Sequence, residues 1–527
     1  MAAQQTVVAN RAPAEPRRKK NVRPTKFHGA EYISGKLTDA RMMGDNDLRH
    51  IRSAGIRPAN EQRGLEGDGL GTPSESTVIP GGSTPGEHSK NALTVRAVAG
   101  ARTALLILFA INALNFFDRQ LLGALAEPVR KEFHLSDTGL GLLGTVFTLI
   151  YAVVGLPLGR LSDRWHRTRL VAMGTALWSL LTAATGLAQS YAQVFVSRLG
   201  VGVGEAVCAP ASQSLIGDLF PPQQRARAMG IFMLGLPAGL VAAYLCAGAI
   251  GAAWGWRSAF LIACLPGLLL ALLSLRIPEP ARGTQDASTS ITQTPFAGNS
   301  YSAVLKVPTM RWIILSGIFH NFNMYAINAF QTPFLQRFHA MSLKDASNVS
   351  AISVGAVGAI GLIAGGWLAD KIAIRHKNGR LLVAACSMAL AAPCIFLAIN
   401  QPKGAVASFM ALMVVGTMTM YVYYATVYAA IQDVIAPKLR GTAVAIYFCG
   451  MYVLGASLGP VATGILSDHF AHQAMAAAGE THMTEAFKAV GLHNAMYMIP
   501  ALAVLAALVL FAAAATVEKD MRRQQAA

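Results

Sequence analysis

Two ionisable residues stand side by side, Asp118 and Arg119, inside an apolar run from near Ala104 to about Ala126. Such a run can cross a bilayer core of about 30 Å, which takes roughly 20 helical residues. One charge at mid-membrane costs about 2.5 kcal/mol or more, so a chain keeps a pair there where it is partnered or lines water. Depth supplies the partners. At about 1.5 Å per residue, Asp118 lies about 21 Å from the edge where its run enters. A later run enters from the opposite face near Ala192. It places Arg198 about 9 Å below that edge, and so at the same depth in a core of about 30 Å. Glu205 follows at i+7 on the same helical face, one to two turns deeper. Asp118, Arg119, Arg198 and Glu205 therefore make a charge cluster that sums to zero. Packing alone explains it poorly, because apolar replacement of buried pairs is often neutral or stabilising. Burial raises a carboxylate's pKa and an adjacent guanidinium lowers it. Opening the cluster would let Asp118 or Glu205 take a proton. Protonation of Asp118 would free Arg119 or Arg198 for an anionic headgroup, which couples proton to substrate.

The elements that must position this cluster are membrane helices. The 527 residues are 53% hydrophobic and 13% charged, against roughly 25% charged in soluble proteins. Repeated apolar runs indicate helices rather than a barrel. They lie near 102–126, 139–160, 169–188, 191–217, 226–250 and 257–276, then near 311–335, 347–370, 380–399, 404–432, 441–466 and 491–516. The fold class is all-α membrane protein, with twelve transmembrane helices in two pseudo-symmetric bundles of six. The expected domains are a disordered cytoplasmic tail (1–99), a first bundle (100–277), a cytoplasmic linker (278–308), a second bundle (309–517) and a cytoplasmic C-terminus (518–527). The net charge of +17 does not imply nucleic acid, because the excess lies in the tail and in short loops. Alternate loops hold about 16 Lys and Arg on one side and about 7 on the other, which places both termini in the cytoplasm. The six cysteines lie in apolar runs without C-x-x-C and read as packing residues. His469, His472, His482 and His493 are too irregularly spaced for a metal site, so none is expected.

The two sets repeat one another. Gly159-Arg-Leu-Ser-Asp163-Arg164 closes the second run and Gly366-Trp-Leu-Ala-Asp370-Lys371 the eighth. Asp218-x-x-x-Pro222-x-x-Arg225 closes the fourth, and Asp433-x-x-x-Pro437-x-x-Arg440 the tenth. Parallel repeats mark transporters that rock two bundles about a central site. Gly159, Asp163, Arg164, Arg167, Asp218 and Arg225, with Asp370, Lys371, Asp433 and Arg440, are expected to form a cytoplasmic gate, latched in the outward-open state. The second set offers polar and aromatic groups instead of charge. Asn321, Tyr325 and Asn328 share a face at i, i+4, i+7. With Asn115, Tyr424 and Asn494 they are the candidate cavity residues, and His320 reads as a satisfied packing histidine.

Gly159-x-Leu-x-Asp163-Arg164-x-x-Arg167 and Arg198-x-x-x-Gly202-x-Gly204-Glu205-Ala206 resemble signatures of the major facilitator superfamily. Asn115-x-x-Asp118-Arg119, Gly141-Leu-Leu-Gly-Thr-Val-Phe147, Tyr151 and Ile216-Gly-Asp-Leu-Phe220 are most similar to Spinster-like members. Phe116 stands where those members usually carry Tyr. The resemblance implies alternating access, the same roles at the four clustered charges, and a lysolipid-like substrate. The expected function is a secondary transporter, proton-coupled, for an amphipathic anionic or zwitterionic small molecule. A symporter of organic or sugar acids is the alternative, and a non-transporting receptor or scaffold a remote one. No G-x-S-x-G, H-E-x-x-H or P-loop occurs, so neither an enzyme nor a cofactor is expected. The expected partners are the small-molecule substrate, protons and the lipid bilayer. The expected setting is a bacterial inner membrane, and the expected working unit a monomer.

Overall fold

The computed structural model describes residues 97–283, 285 and 300–526. The tail expected at 1–99 lies outside the described residues up to 96, as do residues 284 and 286–299 of the linker. Long helices occupy the rest: α1 Ala101–Ala124, α2 Asp137–Ser162, α3 Arg167–Leu187, α4 Tyr191–Leu219, α5 Pro222–Trp254, α6 Trp256–Ser274, α7 Pro308–Arg337, α8 Leu343–Ala373, α9 Gly379–Ile399, α10 Val406–Val434, α11 Pro437–Ala477 and α12 Glu485–Gln524. Among the described residues, eleven helices are long and apolar enough to cross a membrane. The twelfth, α7, has the length but not the apolarity, because His320, Asn321, Asn323 and Gln331 are all buried along it. Its polar groups are shielded from lipid by neighbouring helices, as membrane burial requires.

Local chemistry sets the helix ends. The hydroxyls of Ser136, Ser190 and Ser342 accept from the backbone N–H of Gly139, Gln193 and Asp345, capping α2, α4 and α8. Gly255, at φ 80°, turns the chain between α5 and α6 in a conformation that favours glycine. The regular α-helix of α4 is interrupted just after Glu205 and resumes at Cys208. Small residues then bring backbones together, as membrane helix contacts need. A methyl on Gly204 would stand 2.9 Å from the Trp178 backbone nitrogen, so α3 and α4 meet nearly backbone to backbone.

The end of the bundle where α1 begins carries the Arg-rich loops and is termed the basic end; the opposite end is the far end. The halves α1–α6 and α7–α12 meet from mid-depth to the far end. The Tyr244 hydroxyl donates to the Asn328 carbonyl at 3.2 Å, and a methyl on Gly355 would stand 2.9 Å from Val241. Toward the basic end they part. No residue of α2 between Thr148 and Ser162 is buried, and nothing stands within 4 Å of where a Cβ on Gly155 or Gly159 would be. The second half holds two π-helical turns, Ala351–Ala356 in α8 and Gly450–Ala456 in α11. The C-terminal segment expected from 518 continues α12 as helix. Asp520 is buried there and accepts from the N–H and hydroxyl of Thr309 at 2.9 and 2.7 Å, capping the start of α7.

Candidate functional site

The structure brings the four charges together and sorts them into two faces of α1. Arg119 Nε lies 2.8 Å from Glu205 Oε2, with side chains 8% and 0% exposed. The Arg119 guanidinium stacks on Tyr151 at 4.1 Å, with Phe116 at 5.1 Å and Phe147 at 5.5 Å. Such cation–π contacts are worth about 2 kcal/mol when desolvated. Asp118, one residue earlier and so about a third of a turn around the helix, faces away from this group. Its carboxylate is fully buried, with the Thr182 hydroxyl at 3.5 Å. Arg198 reaches it only through the Asp118 backbone carbonyl, at 3.4 Å, and its guanidinium packs over Phe260 at 5.0 Å. The expected depth match between Asp118 and Arg198 is therefore seen without a direct ion pair between their charges.

The facing wall belongs to the second half. Tyr452 stands 5.9 Å from Tyr151 and 6.3 Å from Tyr325, so rings from both halves enclose Arg119. Tyr424 donates to Asn321 Oδ1 at 2.8 Å, and Asn321 donates to the Met451 carbonyl at 3.3 Å. Tyr428 continues the wall beside Tyr424 and Phe448. Asn115 is buried on α1 beside the Glu205 carboxylate. Asn328 lies on the expected face but higher, where its carbonyl joins α5 in the sealed part. Asn494 does not join the group. It lies one turn before Tyr497, whose hydroxyl bonds Asn400 at the end of α9. His320 is not a satisfied packing histidine. It is fully buried and stacked 4.0 Å from Tyr423, yet neither ring nitrogen has a partner. The polar run it belongs to was legible in the sequence, but not the missing partner.

At the basic end Arg167, Asp218, Asp370 and Asp433 each pair within their own half. Arg167 is fully buried, binds Asp218, and donates to Glu279 at 2.8 Å. Arg282 donates to the Ser162 and Trp165 carbonyls at 2.8 and 2.7 Å. The start of the linker thus straps the first half. Burial pushes the Glu279 carboxyl up, but hydrogen bonds from Thr168 and Arg167 outweigh it and hold the group below its ordinary range. Asp163 and Arg164 are exposed. In the second half Arg380 binds Asp433 at 2.6 Å and Asp370 at 3.2 Å. Lys371 instead lies over the Trp367 ring at 4.8 Å, and Arg440 donates to the Gln432 and Ile435 carbonyls, closing the end of α10. Sequence reasoning missed Arg380. It follows Asp370 by ten positions, whereas Arg167 follows Asp163 by four, so the repeat is out of step there.

The far end holds a clamp that sequence reasoning also missed. Arg337 of α7 donates to both Asp137 carboxylate oxygens at 2.8 Å and to Glu127 at 2.7 Å. Arg130 binds Glu127 and Glu485, each at 2.6 Å. Asp468 of α11 accepts from the first N–H groups of α2, at Asp137 and Thr138, at 2.9 and 2.8 Å. These are charge-assisted bonds at a helix N-terminus, where anions are favoured. Their members lie far apart in the chain, each at an unremarkable helix end, so no local pattern announces them.

Comparison with known proteins defines the class. The Major Facilitator Superfamily profile matches residues 108–460, and the chain belongs to this family of membrane transporters. An MFS-type efflux pump of Mycolicibacterium smegmatis is 31% identical over 371 residues, 70% of this chain and 85% of that protein. Protein spinster homolog 3 of Danio rerio is 28% identical over 414 residues, 75% and 83% of the two chains. A solved bacterial homologue of the human lysosomal transporter Spinster, inward-facing and unoccupied, superposes with TM-score 0.73 at 29% identity, covering 80% of this chain and 98% of its own. The chain is thus a multi-pass membrane transporter with Spinster-like relatives.

Proposed function

We propose that this transporter moves an amphipathic anion or zwitterion with a lysolipid-like head and tail, and that a proton drives it. The observation that carries the reading is the Arg119–Glu205 pair, 2.8 Å apart and shielded from water, at the meeting of the two halves. Arg119 is the cation there with an aromatic surround, and a bound anion must compete with Glu205 for it. A proton on Glu205 removes the competitor, so proton and anion bind with positive linkage. Loss of both restores the pair. The opposite wall of Tyr424, Tyr428 and Tyr452 carries no charge and suits an apolar body. Loop charge supports a cytoplasmic basic end, with both termini inside and the protein in a bacterial inner membrane. On that assignment the halves part toward the cytoplasm. Asp163 and Arg164, exposed here, would then engage the second half when the far end opens.

A sugar or organic acid would use the same Arg119 and is the second reading; the aromatic wall favours the amphipath. Thermal stabilisation across a panel of lysolipids and organic acids distinguishes them. In proteoliposomes with an imposed pH gradient, Arg119→Ala is expected to lose uptake. Glu205→Gln should keep ligand binding while losing the response to the gradient. Gradient-driven uptake that survives in both Glu205→Gln and Asp118→Asn would refute proton coupling at this cluster.

A further inference from the structure

The far-end clamp borders a cavity of about 320 Å³ that the transport reading does not use. That volume lies at the small end of ligand pockets, which span about 300–1,000 Å³. Both halves line it. The first half contributes Glu127 and Lys131, from the short helix Ala126–Glu132. The second contributes Arg337 at the end of α7, Lys403 in the loop between α9 and α10, and Glu485 at the start of α12. Three cations therefore share the wall with two carboxylates.

Ion pairing uses these charges unequally. Glu127 takes Arg130 at 2.6 Å and Arg337 at 2.7 Å. Glu485 takes Arg130 at 2.6 Å and Lys488 at 3.1 Å. Arg337 directs its guanidinium to Asp137 and Glu127. Lys131 stands 3.8 Å from Glu127, beyond hydrogen-bond reach. Lys403 has no ion pair among the described residues, and its ammonium lies 5.8 Å from the Phe338 ring. Both carboxylates are thus satisfied, while one ammonium from each half is not. A cation entering here would compete with guanidiniums for Glu127 and Glu485. An anion would meet two ammonium groups that nothing else neutralises.

We infer that this cavity binds a small polyvalent oxyanion from the compartment the far end faces, between Lys131 of one half and Lys403 of the other, and that the bound anion holds the far end shut. Lys131 moves with the first half and Lys403 with the second, so opening the far end takes the site apart. A ligand shifts an equilibrium by its differential affinity for the two states. At ten times its dissociation constant, an anion that binds the closed state alone raises the closed-to-open ratio about tenfold. Nothing at this site depends on a proton at Glu205 or on what Arg119 carries.

The test uses the full-length transporter in liposomes, with a cysteine placed at the far end and a membrane-impermeant thiol reagent. Inorganic phosphate and citrate are the probes, and chloride at equal ionic strength is the control. Phosphate or citrate is expected to slow labelling several-fold, and chloride to leave it unchanged. Lys131→Gln combined with Lys403→Gln should abolish the protection, and Lys131→Arg combined with Lys403→Arg should keep it. Both lysines are exposed, so neither change threatens folding. Arg119→Ala should leave the protection intact, which separates this site from the substrate cavity. Absence of protection in the unaltered protein overturns the proposal. So does protection that chloride reproduces, that survives loss of both lysines, or that disappears in Arg119→Ala.

Discussion

Both ends of this transporter are rich in Arg–carboxylate pairs, but the pairs do opposite things. At the far end Arg337 with Glu127 and Asp137, and Arg130 with Glu485, join one half to the other. At the basic end Arg167–Asp218 and Arg380–Asp433 each stay within one half. Burial differs too. Arg337 and both its carboxylates are each 3% exposed, whereas Arg380 and Asp433 are 26% and 27% exposed. A count of ion pairs would rank the ends alike. Which helices they connect, and how dry they are, decides which end is shut.

The largest blow to this contrast is Arg337→Ala. It leaves Glu127 short of a cation and Asp137 buried with only hydroxyl and backbone donors nearby. Breaking one partner of a buried pair costs about 3–5 kcal/mol, and every 1.4 kcal/mol is tenfold. Spin-label distances across the far end should shift from a closed to an open population by about a hundredfold or more. An unchanged distribution would show that the clamp does not hold the state.

Gly141→Ala comes next. The added methyl would land on the Pro460 carbonyl, where α2 crosses α11. Overpacking of this kind costs about 1–3 kcal/mol. A cysteine placed at the far end should become more reactive to a membrane-impermeant thiol reagent.

Acid sharpens the comparison. Burial pushes the Glu127 carboxyl up, but hydrogen bonding to Arg130 and the charges of Arg337 and Arg130 outweigh it and hold the group below its ordinary range. A depressed value means the clamp's contribution is complete above the free carboxylate value of about 4.3 and fades only as pH falls through the lower one. Far-end distances should therefore stay constant across neutral and mildly acidic pH and widen in strong acid. A transition near pH 6 would point to a histidine instead.

The smallest effect belongs to Arg380→Ala. A part-exposed pair within one half is worth about 0–1 kcal/mol. It should leave far-end distances and melting temperature nearly unchanged, and a large shift in either would mean that this pair reaches beyond its own half.

The fold was legible because apolar periodicity and loop charge are local signals. The cluster was legible because depth along a straight helix follows from residue count, which placed Asp118 and Arg198 at one level. Pairing was not legible: Arg119 and Asp118 differ only in azimuth, and their different surroundings depend on how α1 is rotated against α3 and α4. The clamp joins Glu127 and Asp137 to Arg337 across about two hundred residues, and no repeat or spacing links them. The even polarity of α7 was visible; that it hides His320 without a partner was not.

The two π-helical turns of the second half have a mechanical consequence. A π turn replaces the i→i−4 ladder with wider i→i+5 bonds and often marks a functional position in a helix. In α8 and α11 these turns lie beside the contacts with the first half, at Val241 and Tyr151. The basic-end segments of α8 and α11 are thus set off from their far-end parts, which pack on α5 through Ser347 and bind the start of α2 through Asp468. The first half has no such turn among its described residues, and its linker straps it at the basic end. One bundle serves as the rigid frame and the other as the leaf spring that bends against it.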